Sequence, residues 1–234
     1  MKISILFFLL LLFNGIYAQD FDHSKWDAFL NEHVGQTGNV DYVSIKEDES
    51  KLKESLNQFI NTPPLKSWNK EEILAYWINA YNAFTVKLIV DNYPLKSIKD
   101  IKAPWDKKFI PIDGKLISLN YIEHEILRKM NDPRIHFAIN CASVSCPQLL
   151  NEAFTIKKLD SQLNKVTSRF INNPSKNVIS GNRLQLSKIF QWFKEDFGQK
   201  DNSIIEFINQ YSLVKAKPDS KINYLKYNWN LNGQ

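Results

Sequence analysis

The sequence predicts an α+β fold: a helix-dominated single globular domain with β-hairpins and a short mixed or antiparallel sheet. Three observations predict this class. Most segments carry apolar residues at helical spacing. Two glycine-containing turns, at residues 113–114 and 180–182, separate short runs that are typical of hairpin strands. The chain lacks the regular alternation of strand and helix that is typical of a parallel α/β sheet.

The N-terminus has the features of a secretory signal peptide. Lys2 gives a positive start, an apolar run follows, and Ala18 supplies a small residue at the expected cleavage point. The run is too short to span about 30 Å of hydrocarbon, and no cysteine near Ala18 could carry a lipid. We therefore expect residues 1–18 to be removed and residues 19–234 to form one exported domain, periplasmic or secreted, without a transmembrane anchor.

Composition allows a large core and argues against a nucleic-acid partner. Hydrophobic residues make up 44% of the chain and aromatic residues 13%, so large side chains should dominate the core. The formal net charge is +5, but the lysines are spread evenly and form no basic stripe. With only seven glycines, the chain has no glycine-rich phosphate loop. The expected partner is an unknown small molecule or peptide.

Two helices are predicted in the N-terminal quarter. The first follows Asp22, and the second ends at Pro63-Pro64 because proline cannot continue a helix. Residues 39–45 between them are predicted to form a turn or short strand. The apolar residues at helical spacing are Trp26, Phe29 and Leu30 in the first helix and Leu52, Leu56, Phe59 and Ile60 in the second.

A third helix is predicted to be the centre of the core. Asn69 can cap it, and it should run to about Asn92, where Pro94 stops it. Apolar residues lie almost all round this helix, which indicates burial on every side. Asn79 and Asn82 share one face and, if buried, must be hydrogen-bonded. We favour a structural network for this pair; the alternative is a polar wall of a cleft.

A hairpin over residues 109–119 should lead into a further helix. Ser118 or Asn120 is expected to cap that helix, and Asn120 has capping-box spacing to Glu123. His124 follows on the same helix, about 100° round from Glu123, so the two side chains cannot face each other directly.

The next segment is predicted to be a strand followed by a short helix. Residues 135–140 alternate in polarity, which would place His136 and Asn140 on one face. Pro147 suits the first position of a helix, and Cys146 would then be its N-cap.

The C-terminal third is predicted to hold three helices, a hairpin and a terminal strand. Ser187 should cap the middle helix, which carries Phe190 and Phe193. The hairpin spans residues 178–186. The core-facing residues of the first helix are Leu159, Leu163, Val166 and Phe170. Those of the last helix are Ile204, Ile205, Phe207, Ile208 and Tyr211. The terminal strand is expected to carry Tyr224, Tyr227, Trp229 and Leu231.

Several of these segments together resemble a known family. The motifs are residues 75–83, 122–128, 132–141 and 145–147, joined by a similar ending at residues 227–232. In this order they resemble the bacterial and plant family called domain of unknown function 547, from roughly Trp68 to the C-terminus. The resemblance implies no settled activity. It groups together Asn79, Tyr81, Asn82, Glu123, His124, Arg134, His136, Cys141 and Cys146.

Four of these residues are candidate catalytic groups: Glu123, His124, His136 and Cys146. A cysteine at a helix N-terminus near a histidine would have a lowered thiol pKa and could act as a nucleophile. Glu123 could instead be a capping carboxylate, and His124 could be bonded to a backbone carbonyl. The candidate binding residues are Asn79, Tyr81, Asn82, Arg134 and Asn140.

The two cysteines also allow a structural interpretation, which we favour. Cys141 and Cys146 are the only cysteines, and an exported chain with a close pair is expected to form a disulfide. A metal site from Glu123, His124 and His136 has weaker support, because their spacing is not that of the His-Glu-x-x-His helix motif. We expect neither a metal nor another cofactor.

Two classes of function remain open. The first is a hydrolase or acyl transferase that uses a cysteine or a Glu/His pair in a polar cleft. The second is a non-catalytic envelope binding module in which the same polar cluster and a disulfide are structural. Convergence of the cluster in one pocket would favour the enzyme.

Overall fold

Helices supply most of the regular structure in the computed structural model, which describes residues 20–198 and 200–233. The helix-dominated α+β class is confirmed. The predicted signal peptide lies outside the described residues. The helices are α1 (Ser24–His33), α2 (Tyr42–Glu47), α3 (Ser50–Asn61), α4 (Lys70–Asn92), α5 (Ile135–Ala138), α6 (Leu159–Ile171), α7 (Ile189–Trp192) and α8 (Asp201–Tyr211). The strands are β1 (Ile110–Ile112), β2 (Lys115–Ile117), β3 (Val178–Ile179), β4 (Arg183–Leu186) and β5 (Lys221–Tyr224).

Four further helical segments complete the description: a π-helix (Tyr121–Leu127) and 3-10 turns at Ile98–Asp100, Arg128–Met130 and Lys194–Phe197. Two of them matter for the site described below. The π-helix packs against α4, and the 3-10 turn at Lys194–Phe197 follows α7.

Helix α4 is the central element, as predicted. The side chain of Asn69 caps it by accepting a hydrogen bond from the backbone N–H of Glu72 at 2.8 Å. Both Asn79 and Asn82 are buried and hydrogen-bonded, which confirms the structural network. In length and composition α4 could cross a membrane, but 89% of its apolar window is buried inside the protein. It is therefore the core helix of this domain.

Both predicted hairpins are present. Strands β1 and β2 pair antiparallel around Asp113 and Gly114, whose φ angles of 53° and 66° suit a tight turn. Strand β3 pairs antiparallel with β4, and β5 adds to β4 in parallel. The C-terminal strand ends at Tyr224, earlier than predicted; beyond it Leu231 and Gly233 form only isolated bridges.

The prediction of a strand over residues 135–140 was wrong. Helix α5 begins at Ile135, which donates its backbone N–H to the carbonyl of Asp132. His136 and Asn140 are buried, as are the apolar residues between them. Alternating polarity indicates a strand only when one face is buried and the other is exposed to solvent. Because this segment is buried on every face, its alternation of polar and apolar residues did not indicate a strand.

Of two predictions about helix starts, one was wrong and one was confirmed in one of its two alternatives. The described structure has no helix beginning at Pro147, so Cys146 is not an N-cap. Of the two predicted caps for the helix after β2, Ser118 is confirmed, because its side chain accepts from the N–H of Tyr121 at 3.2 Å, whereas Asn120 makes no capping contact. Glu123 is consequently free of the capping box.

The connection over residues 39–45 is mainly helical rather than a turn or strand. Helix α2 begins at Tyr42, and the Asp41 side chain accepts from the N–H of Ser44 at 3.1 Å. An aspartate directly before a short apolar pair was the available signal. Only Val40 keeps strand character, through isolated bridges to Val34 and Gly233.

Replacing Trp77 with alanine should lower the free energy of unfolding by about 3–5 kcal/mol, because a large buried ring leaves a cavity. Trp77 is 8% exposed and packs edge-on against Tyr76, with ring centroids 5.1 Å apart. Chemical denaturation measures the change. Tyr121→Ala is the control, since Tyr121 is 42% exposed and its loss should cost about 0.5 kcal/mol or less. Equal effects of the two variants would contradict a core role for α4.

Candidate functional site

A cavity of about 200 Å³, called here the cleft, brings the four candidate catalytic residues together. Helix α4, the π-helix and α5 supply much of its polar side, and the loop after α5, helix α7, Trp105 and the C-terminal segment contribute to the rest of its lining. The polar and sulfur-containing side chains of its lining are Tyr81, Asn120, Glu123, His124, His136, Cys141, Cys146 and Tyr227.

Glu123 is a buried carboxyl group in the wall of the cleft. It is 7% exposed, and the hydroxyl of Tyr81 donates to its Oε2 atom at 3.2 Å. Burial raises the pKa of Glu123 to about 7, although the Tyr81 bond and the positive charge of Arg128 act to lower it. Near neutral pH this carboxyl group can therefore either give or take a proton.

His136 is held by a carboxylate that the sequence analysis did not predict. Its Nε2 atom lies 2.6 Å from Oδ2 of Asp196. Arg128 donates to the same carboxylate, from Nε to Oδ2 at 2.7 Å and from Nη2 to Oδ1 at 2.8 Å. Burial acts to raise the pKa of Asp196, but the hydrogen bonds from His136 and Arg128 outweigh burial and hold it well below its usual value. Asp196 is thus a carboxylate at neutral pH.

The same geometry fixes the proton on His136. Burial lowers the pKa of His136 more strongly than Asp196 raises it, so the ring is neutral near pH 7. The carboxylate of Asp196 can only accept, so Nε2 carries the hydrogen and Nδ1 keeps a lone pair. Nδ1 is buried and has no hydrogen-bond partner among the described residues. His136 therefore has one anchored nitrogen and one that is basic and unpaired.

His124 is tied to the same charge network through Arg128. Its Nδ1 atom lies 2.9 Å from Nη1 of Arg128. Because a guanidinium only donates, Nδ1 accepts and Nε2 carries the hydrogen. Burial and the charge of Arg128 lower the pKa of His124, so it too is a neutral donor near pH 7.

Cys141 and Cys146 form a disulfide, as predicted, with their Cα atoms 6.1 Å apart. A bonded sulfur cannot attack a substrate as a thiolate. In this state the acid–base groups of the cleft are Glu123, His124 and His136.

Aromatic rings form much of the remaining cleft wall, and the sequence analysis did not assign them to a site. Tyr227 and Trp229 have ring centroids 4.5 Å apart, and Trp192 lies 4.8 Å from Tyr227. Trp105 meets Trp229 edge-on at 5.6 Å. Trp192 is 45% exposed. Tyr227 and Trp229 were predicted to lie in a terminal strand, and that prediction gave no reason to expect them in the cleft.

The asparagines predicted to bind a ligand connect backbone segments instead of lining the cleft. Asn79 pairs its amide with both backbone groups of Phe154, at 2.7 Å and 3.0 Å. Asn82 donates to the carbonyl of Ala138 at 3.0 Å and accepts from the N–H of Asn140 at 2.8 Å. Of the predicted binding residues, Tyr81 alone lies in the lining of the cleft.

The other two predicted binding residues also have protein partners. Arg134 pairs with Asp132 and Asp160, at 2.8 Å and 2.7 Å. Asn140 donates to the carbonyl of Pro147 at 2.6 Å. A ligand-binding role for these residues stays a prediction. Among the residues that the structure describes, no group of three or more His, Cys, Asp or Glu side chains is arranged to hold a metal ion.

A second cavity, of about 360 Å³, lies at the N-terminal end of the described chain. It is larger than the cleft, and its lining includes Asp22, His23 and Glu72. None of the four candidate catalytic residues belongs to it. We therefore place the candidate site at the cleft, where a buried carboxyl and a carboxylate-anchored histidine meet.

The comparison with protein families agrees with the motifs. Residues 65–171 match the family described as "Protein of unknown function, DUF547". This stretch resembles the DUF547 family. The matched region holds Tyr81, Glu123, His136 and the disulfide, whereas Asp196 lies beyond it. Comparisons with curated proteins and with solved structures gave no match.

The raised pKa of Glu123, inside the DUF547-like region, predicts a pH dependence of stability. The folded chain holds this proton more tightly than the unfolded chain, where the pKa is about 4.5. Protonation therefore stabilises the fold fully below pH 4.5, and this stabilisation is lost as the pH rises to about 7. Relative to Glu123→Gln, the wild-type protein should lose about 3 kcal/mol of unfolding free energy across that window.

Urea denaturation of both proteins at several pH values between 4 and 8 measures this difference. Taking the difference cancels the histidines, whose lowered pKa values act in the opposite direction. Glu125→Gln is the control, because Glu125 lies on the same helix but is exposed and pairs with Lys129. A difference between wild type and Glu123→Gln that stays constant from pH 4 to pH 8 would contradict the buried, proton-binding carboxyl.

Proposed function

We propose that the cleft is a hydrolytic active site in which Glu123 and His136 exchange protons with the substrate. One observation carries the proposal: a buried carboxyl with a pKa near 7 and a histidine anchored by a carboxylate line the same small cavity. Pairs of titratable groups whose surroundings shift their pKa values apart are typical of acid–base catalysis.

The protonation states suggest a role for each group. His136, neutral and unpaired at Nδ1, would take a proton from the attacking water, and Asp196 would stabilise the imidazolium that forms. Glu123 in its protonated form would give a proton to the leaving group. Water thus adds its hydroxyl to one product, and the other product leaves with a hydrogen. An acyl transferase would use the same steps, with an acceptor alcohol or amine in place of water.

The aromatic wall supports a substrate with flat or apolar surfaces. Trp105, Trp192, Tyr227 and Trp229 line the cleft together with Glu123 and give it an apolar wall. Electrostatic interactions strengthen in such a site. A small molecule or a peptide with an apolar side chain fits these walls better than a highly charged ligand.

The aromatic wall also gives the second candidate function its support. A non-catalytic binding module of the envelope would use the rings of Trp192 and Trp229 to hold a ligand, and Glu123 would remain a structural partner of Tyr81. Turnover separates the two functions, because a binding module holds its ligand without changing it.

Glu123→Gln should lower kcat/KM by about 100-fold or more on any substrate that the wild-type protein hydrolyses, since a positioned acid is typically worth that much. The assay is a panel of p-nitrophenyl esters, anilides and glycosides. In the wild-type protein, kcat/KM should fall above about pH 7, where Glu123 loses its proton. His136→Gln should show a comparable loss.

Glu72→Gln is the matched control, because Glu72 is also a buried glutamate with a raised pKa but lies at the second cavity. It should keep the wild-type rate. Equal rates in wild type and Glu123→Gln would exclude the acid role. Binding of a panel compound without release of p-nitrophenol or p-nitroaniline would favour the binding module.

We further propose that the protein works after export, in the periplasm or outside the cell. The signal-like N-terminus supports this location, and a disulfide persists in oxidising compartments. The mature chain should begin at Gln19 or within a residue or two of it. Intact-mass measurement of exported material tests this, and a mass that includes residues 1–18 would contradict it.

A further inference from the structure

The loop between Cys141 and Cys146 is held by hydrogen bonds as well as by its disulfide. The side chain of Asn140 spans the loop: it accepts from the N–H of Ala142 at 2.8 Å and donates to the carbonyl of Pro147 at 2.6 Å. The two ends of the loop are thus connected twice, by the disulfide and by the buried side-chain amide of Asn140.

The C-terminal segment fixes the outer side of the same loop. The N–H groups of Val144 and Ser145 donate to the carbonyls of Asn230 and Asn228, at 2.8 Å and 3.1 Å. The hydroxyl of Ser145 accepts from the N–H of Asn228 at 2.8 Å in return. With this many bonds, the loop has little conformational freedom left for a disulfide to remove. We therefore expect it to keep its shape when the sulfurs are reduced.

Each sulfur also faces a hydrogen-bond donor. The backbone N–H of Cys141 lies 2.9 Å from Sγ of Cys146. Sγ of Cys141 lies 3.3 Å from the hydroxyl of Tyr227 and 3.2 Å from that of Ser143. Ser143 can donate to the Tyr227 oxygen at 3.3 Å, which leaves the Tyr227 hydrogen free for the sulfur. Donors at these positions stabilise a thiolate, which is the leaving group in thiol–disulfide exchange.

The disulfide is accessible from the cleft. Both sulfur-bearing residues belong to its lining, and Cys141 is only half-buried whereas Cys146 is buried. An incoming thiol would therefore meet the sulfur of Cys141 first. The aromatic rings of Trp192 and Trp229 line the same cleft and could hold the apolar part of a thiol-bearing molecule.

We propose that Cys141 and Cys146 form a redox-active disulfide that oxidises a dithiol bound in the cleft. The thiolate of the dithiol attacks Sγ of Cys141, the bond between the protein sulfurs breaks, and Cys146 leaves as a thiolate. The second thiolate of the substrate then attacks the substrate sulfur in the mixed disulfide and expels Cys141. Two electrons pass to the protein, the substrate becomes a disulfide, and its two protons end on the protein thiols or in solvent.

This activity goes beyond the proposed hydrolysis and does not depend on it. A protein that hydrolyses no p-nitrophenyl compound can still exchange disulfides, and a protein with an inert disulfide can still hydrolyse. The two proposals therefore fail in different assays.

The first test uses dithiothreitol as the dithiol, at neutral pH and without denaturant. Its rate of reaction with the protein disulfide should exceed its rate with oxidised glutathione by about tenfold or more. The reduced protein should keep the near-UV circular dichroism of its folded aromatic core. A disulfide that reacts only after urea unfolds the chain, or a chain that unfolds on reduction, would show a structural crosslink and overturn the proposal.

The second test measures the thiolate that the donors stabilise. In the reduced protein, the pH profile of Cys141 alkylation by iodoacetamide should give a pKa below the usual value of about 8.5. Tyr227→Phe should move that pKa upward, because it removes the hydroxyl 3.3 Å from the sulfur. Tyr224→Phe, a tyrosine outside the lining of the cleft, is the control and should leave it unchanged. An ordinary pKa in the wild-type protein, or no response to Tyr227→Phe, would contradict the proposed role of Tyr227.

Discussion

Asn82 sits in the middle of a helix that is buried on all sides, and its amide must therefore find partners within the protein. It takes both from the chain around α5, at the carbonyl of Ala138 and the N–H of Asn140. Leaving either group unpaired in the core would cost about 1–3 kcal/mol. This one side chain thus ties α5, and the start of the disulfide loop that follows it, to α4.

The adjacent residue gives α4 its second connection to the cleft. Tyr81 donates a hydrogen bond to Glu123 of the π-helix, and the next residue, Asn82, accepts one from the N–H of Asn140. Two neighbouring residues of α4 therefore connect it to the π-helix and to the end of α5. These two contacts set the relative positions of Glu123 and His136. Arg128, at the end of the π-helix, then reaches Asp196, which holds His136 from the other side. Asp196 therefore joins Arg128 and His136, whereas Glu123 has the neutral hydroxyl of Tyr81 as its partner.

Local chemistry explains what the sequence analysis could predict. The Asn69 cap and the Asp113-Gly114 turn are settled by residues a few positions apart, and both predictions were confirmed. The strand prediction at residues 135–140 failed because burial on every face removed the contrast that periodicity measures. Asp196 lies 60 residues from His136, and no spacing in the sequence connects the two. The aromatic wall depends on the same kind of distant pairing, between Trp192 and the C-terminal segment.

The family match covers some residues of the cleft and leaves out others. The DUF547-like region, residues 65–171, contains the carboxyl, both histidines and the disulfide, but the carboxylate that anchors His136 comes from residue 196. Without Asp196, His136 would have no partner for its Nε2 hydrogen, and Arg128 would lose the only side-chain carboxylate it pairs with among the described residues. The matched region is therefore not sufficient for the chemistry of the cleft. Only the chain through Trp229 forms the whole site, because it closes the aromatic wall and places Tyr227 against the sulfur of Cys141.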